Sequence, residues 1–223
     1  MQERLSLNKQ TKDGLLWGIG GGIIAGILQS YRPFALTVIP IAKEDLLLWW
    51  IDTVFIIITG VFIATGVYVY WYWQKKDVIL ARIATIGLII ALVHELIAVG
   101  YVAVKIYLLW KGSPVARYFL PPYSQYYFLI IWRYAQPYGF AIVAGVLGVI
   151  LFAWLKKVSR NRITGGSEII IVAWMGVVLG WERMFTAIFV AMILAAVIMF
   201  TTRKSSTRLT PGLLLSFLAA MFY

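Results

Sequence analysis

The stretch GGSEIIIVAWMGVVLGW, Gly165–Trp181, leads into an apolar run ending at Thr202, and then a basic loop with Arg203, Lys204 and Arg208. The chain closes on LTPGLLLSFLAAMFY, Leu209–Tyr223. Apolar side chains fill these runs almost without a break, and the charges gather between them. A chain that leaves water must satisfy its backbone N–H and C=O groups internally, so such runs form helices in a bilayer. A closed β-barrel meets the same requirement, but its strands show apolar residues at alternate positions. Ala141–Leu155 and its neighbours lack that alternation. The expected fold class is therefore all-α, a polytopic helical membrane protein.

The rest of the chain carries the same signature. Of its 223 residues, 62% are hydrophobic and only 13% charged, with a mean hydropathy of +0.87; globular domains sit at roughly 45–50% apolar. A net charge of +11 could suggest a polyanionic partner. The basic residues, however, form short clusters beside apolar spans, the pattern of cytoplasmic loops facing anionic headgroups. Membrane lipids are the expected partner, and nucleic acid is not, because no soluble basic domain is present to hold a duplex. Cysteine is absent, which removes disulfides, thiolate catalysis and cysteine-ligated metals. The N-terminal MQERLSLNKQTKDG precedes a Gly-rich span without a small-residue cleavage site, so that span reads as a retained first helix.

Charge, proline and glycine divide the chain into about eight membrane segments, with six as the competing count. Their expected bounds are 14–30, 46–73, 78–110, 118–133, 138–155, 168–181, 184–201 and 210–223, all within one membrane domain, 1–223. Segment 168–181 and the last are short of the ~20 residues of a full span, and would thin the bilayer or be re-entrant. With eight segments, the basic loops at 156–162 and 202–209 share a cytoplasmic side with Lys111 and Arg117, whereas Lys75, Lys76 and Arg82 fall opposite. Glu182-Arg183 would then cap a turn on the outer side. The aromatic block Tyr118–Tyr138 reads as an interfacial belt, and Arg133 and Arg183 as side chains that snorkel to headgroups. Gly18, Gly22 and Gly26 recur every four positions in the first helix, a spacing that lets helices pack closely within the protein or against another integral membrane protein.

The order and spacing from Gly165 to Tyr223 resemble the C-terminal catalytic half of type IV prepilin leader peptidases, membrane-embedded aspartic proteases that clip pilin precursors. That family carries GxGD, a short helix ending LGW, a further span, a basic loop and a PFGPFL-type helix. Glu168 falls on the second catalytic aspartate, with Ala173, Gly176, Leu179, Gly180 and Trp181 on matching positions and Thr210-Pro211-Gly212 near the final motif. The family's first aspartate lies in IDL-x5-P; Ile106-Tyr107-Leu108 followed by Pro114 has that spacing, with Tyr107 in the aspartate's place. Upstream, Thr59-Gly60 is similar to a TG pair in the second helix, with Ile56 where an acid is expected, and Tyr31-Arg32-Pro33 to a YRLP ending of the first. The zinc-binding cysteines of many bacterial members are missing. A weaker resemblance, through Tyr123-Ser124-Gln125 and the later basic loop, points to prolipoprotein diacylglyceryl transferases. The main resemblance implies the plasma membrane of a prokaryote and pilin-like transmembrane helices as partners.

Aspartic proteolysis needs two carboxyls that share one proton, one activating water while the other polarises the scissile carbonyl. A phenol stays protonated near neutrality and cannot supply the base. A glutamate is one methylene longer than an aspartate, a displacement of about 1 Å that costs about a hundredfold. The substitutions at Tyr107 and Glu168 thus leave a degenerate dyad. Glu95 and Asp52 are the intramembrane acids that could substitute, since ionisable residues at membrane depth are functional candidates by default; the alternative is structural, with His94 and Glu95 satisfied by hydrogen bonds to other helices or Glu95 paired with a basic side chain. Glu95 follows His94, the single histidine, but neighbours on a helix point about 100° apart and form no ready-made pair. One histidine with scattered acids supplies too few ligands for a metal, so no metal and no cofactor are expected.

The leading expectation is a non-catalytic, prepilin-peptidase-like scaffold or subunit of a membrane assembly that holds pilin-like helices. An active, divergent protease that pairs Glu168 with Glu95 or Asp52 is the second. The third is an accessory subunit of an unrelated respiratory, transport or secretion complex.

Overall fold

A computed structural model of the chain describes residues 46–72, 76–159, 164–202 and 208–222. These residues form α1 (Leu46–Tyr72), α2 (Lys76–Gly112), a short 3-10 helix (Ala116–Phe119), α3 (Tyr126–Val158), α4 (Gly166–Thr202) and α5 (Thr210–Phe222). The first four α-helices are long and apolar enough to cross a membrane. The helical membrane class thus holds. The expected segment 14–30, with Gly18, Gly22 and Gly26, lies outside the described residues.

The finer division differs at α3. Segments 118–133 and 138–155, expected as two, are largely one helix that runs through Pro137. A proline removes one backbone bond and kinks a helix, but in an apolar environment the remaining groups still need helical partners. The polar Arg133-Tyr134-Ala135-Gln136 interruption therefore does not end the helix. One crossing fewer also changes the sides. Lys111 and Arg117 lie at the end of α2 opposite to Asp77 and Arg208, which bond each other. The start of α2, with Arg82, instead shares its side with the end of α3 at Lys156 and Lys157 and with Arg208. The expected placement of Lys111 and Arg117 beside the loops at 156–162 and 202–209 is thereby corrected.

The expected boundary between 168–181 and 184–201 falls on a real break. Gly180 has φ 73° and ψ 178°, a region open essentially only to glycine. The chain folds back there. A straight helix would hold Val172 and Met184 roughly 18 Å apart, yet a Cβ on Gly148 would meet Val172 at 2.6 Å and the Met184 sulfur at 3.3 Å. Thr210 bonds Glu168, and a Cβ on Gly212 would lie 2.7 Å from the Ala191 carbonyl oxygen, so both limbs of α4 flank α5. The first limb, residues 166–179, is roughly 21 Å long, shorter than the ~30 Å hydrocarbon core. Gly180→Ala is expected to cost ~1–3 kcal/mol, read as a lowered melting temperature of the detergent-solubilised protein. An unchanged melting temperature would show that another feature sets the turn.

The packing surface of α2 is a stripe at helical spacing: Leu80, Ala84, Gly87, Ala91, Glu95, Ala98, Val102 and Ile106 are all buried. Its lower part joins the main core, where Trp174 packs edge-on to Phe217 at 4.9 Å and lies against Gly87. Its upper part forms a second, smaller core with Tyr127, Ile130, Ile131 and Tyr134 of α3. Glu95 is the polar member of the stripe, between the two cores.

Candidate functional site

Four helix ends meet at the face where α2, α4 and α5 begin. Glu168 is the third residue of α4 and is fully buried. Its Oε2 accepts the Gly165 backbone N–H at 2.8 Å and the Ser167 hydroxyl at 3.1 Å. Its Oε1 accepts the hydroxyl of Thr210, the first residue of α5. A glutamate at the third helical position that reaches back to the N-cap amide is one half of a capping box, and a negative charge there also favours the helix dipole. Local sequence thus places the carboxylate: Glu168, in the first turn of α4, caps its amide end.

Arg208 stands beside this carboxylate. The Cβ position of Gly165 is 2.9 Å from Glu168 Oε2 and 3.9 Å from Arg208 Nη1, and the same Nη1 bonds Asp77 at the start of α2. That hydrogen bond is the main reason the Arg208 guanidinium titrates above its ordinary value, with the Asp77, Glu168 and Tyr70 charges adding to it against a smaller burial cost. Tyr70, near the end of α1, lies within electrostatic reach of Arg208, Glu168 and Asp77. The ion pair itself is partly exposed, so its contribution to stability is small. Its effect is geometric, because it fixes the guanidinium at the start of α2 within electrostatic reach of Glu168.

The residues expected to share a site are distributed along the bundle. Tyr107 is 40% exposed and packs edge-on to Tyr127 at 6.0 Å. It lies roughly 45 Å along α2 from Asp77, and so is not brought to Glu168. Glu95 lies roughly 27 Å along the same helix from Asp77. Asp52 is at that level too, since its Oδ1 is 2.9 Å from His94 Nε2. Neither expected substitute reaches Glu168, and the acid at its end of the bundle is Asp77, which bonds Arg208. Sequence reading missed Asp77, Arg208, Thr210 and Tyr70. Asp77 in the first turn of a helix looks like an ordinary cap, and only the fold-back at Gly180 carries Arg208 to it.

The arrangement ties the start of α4 to the start of α5. A proteolytic dyad shares one proton between two carboxyls, whereas here Asp77 bonds Arg208, which lies within electrostatic reach of Glu168. Among the described residues, no group of three or more His, Asp or Glu side chains comes close enough to hold a metal ion. No family model, curated protein or solved structure matches this chain.

Proposed function

We propose that this chain is a non-catalytic integral membrane protein, prepilin-peptidase-like in its residues 165–223, that serves as a scaffold or subunit of a membrane assembly. The observation that carries this reading is the state of Glu168: its oxygens accept three donors, and Arg208, within its electrostatic reach, is bonded to Asp77. Tyr107, on the first position of the degenerate dyad, is at the far end of α2. The partners are membrane lipids and transmembrane helices of other proteins, pilin-like helices among them, and the membrane is the plasma membrane of a prokaryote with the Asp77–Arg208 face cytoplasmic. The lipid-facing sides of α2 and α3, with Leu96, Val104, Phe128 and Trp132 exposed, are apolar surfaces on which such helices would lie.

The test is cleavage of a pilin precursor by the purified chain in lipid. The expected product yield equals that of a lipid blank, while photo-crosslinkers at Leu96 and Trp132 capture transmembrane segments of defined mass. Leader cleavage that disappears in both Asp77→Asn and Glu168→Gln, with each variant still folded, would replace this reading by a divergent protease.

A further inference from the structure

We propose that Glu95 is an intramembrane binding site for a small monovalent cation, a proton or an alkali-metal ion, built between α1, α2 and α3. Glu95 is only 8% exposed, and its Oε2 is fully enclosed without a hydrogen-bond partner among the described residues. It occupies a packing position of α2, flanked along the stripe by Ala91 and Ala98, both 0% exposed. A bare carboxylate in such a place is strongly disfavoured, so a positive charge has to accompany it. The surroundings are polar enough to receive one.

From α1, Asp52 bonds His94, the residue before Glu95, and Phe55 stacks on the His94 ring at 4.0 Å. From α3, Tyr138 is hydrogen-bonded to Tyr134 and lies within electrostatic reach of Asp52 and Glu95. Lys105, roughly 15 Å further along α2, stands over the Tyr101 ring at 6.0 Å. On α4 the titratable residues beyond Glu168 are Glu182 and Arg183, in the turn after Gly180, and α5 carries none. On α3, Arg133 precedes Tyr134 and is exposed, and on α2 the His94 ring is engaged by Asp52. Glu95 thus keeps an enclosed, unpartnered oxygen at the level of the bundle where Asp52, His94 and Tyr138 lie, and a mobile charge is what would neutralise it. An ionisable group kept at this depth is a feature of proton and ion pathways. This inference does not depend on the scaffold reading: the site lies in the other half of the bundle from Glu168.

The experiment uses the full chain in lipid nanodiscs and dicyclohexylcarbodiimide, an apolar reagent that reaches carboxyls within bilayers. The carboxyl proton passes to a carbodiimide nitrogen as the carboxylate oxygen bonds the central carbon, and acyl transfer to nitrogen then gives a stable N-acylurea. Mass spectrometry of peptides is expected to find the adduct on Glu95. If the cation is an alkali-metal ion, sodium or lithium chloride at fixed pH slows the labelling, about tenfold at ten times the dissociation constant. If it is a proton, only a rise in pH slows it. Glu95→Gln, which needs no cation, is expected to keep or raise the melting temperature and to lose the dependence on pH or salt. Failure of Glu95 to label in the folded protein, while the denatured chain labels there, overturns the proposal. So does a sharp fall in the melting temperature of Glu95→Gln, which would show that a fixed basic side chain already holds the carboxylate.

Discussion

Glu168→Ala is expected to destabilise the protein by ~3–5 kcal/mol, the range for removing one partner from a buried charged network. The methyl group leaves the Gly165 amide and the Ser167 and Thr210 hydroxyls without their shared acceptor. It also leaves Arg208 with Asp77 alone, and opens a void where the carboxylate stood. Thr210 is fully buried, so water cannot replace the lost acceptor cheaply. Glu168→Gln keeps an acceptor oxygen and the side-chain volume, and should cost about 1–3 kcal/mol. Glu168→Asp retains the charge but draws it back by about 1 Å, and should fall between the two. Thermal unfolding in detergent, followed by circular dichroism, gives the ranking. Equal stability of the alanine variant and the parent would mean that the carboxylate does not tie α4 to α5.

That prediction rests on a part of the chain whose local meaning could be read from sequence while its partners could not. Glycine, glycine, serine and glutamate ahead of an apolar run mark a helix start, and Glu168 does cap one. The apolar run lengths were equally readable, because the bilayer imposes them whatever the neighbours are. Tertiary partners depend on which helices lie side by side. Asp77 and Arg208 are 131 residues apart, and no local pattern links them. Tyr107 matched a family spacing, but spacing along one helix does not determine which end of the bundle a residue occupies. The distance along α2 from Asp77 decides that, and it puts Tyr107 with the aromatic residues Trp110 and Tyr127. The interruption at Arg133–Pro137 misled for a related reason. A polar or kinking residue ends an apolar run on paper, but in lipid a helix that stopped there would expose unpaired backbone groups.

The same dependence on neighbours makes glycine positions sharply unequal, and Gly176→Val is expected to abolish the folded state. A Cβ on Gly176 would overlap the backbone of Gly145, and one on Gly145 would stand 2.9 Å from the Ala173 carbonyl oxygen. Two glycines meeting face to face let α3 and the first limb of α4 cross in backbone contact, the arrangement that small residues permit in membranes. Backbone atoms cannot rotate aside as a side chain can, so an added group must push the helices apart. Gly176→Ala alone should cost ~1–3 kcal/mol by overpacking; the two extra methyls of valine extend the clash along the whole crossing. The displacement would also pull Glu168, on the same limb, away from Thr210. Gly100 and Gly139 provide the contrast, since a Cβ there meets nothing within 4 Å. Both are helical, and alanine should leave stability unchanged or raise it by up to ~1 kcal/mol. The readout is monodisperse yield and melting temperature across the four single variants. If Gly176→Val stays folded and melts like Gly139→Ala, α3 and α4 do not cross in backbone contact, and the junction at Glu168 would need another support.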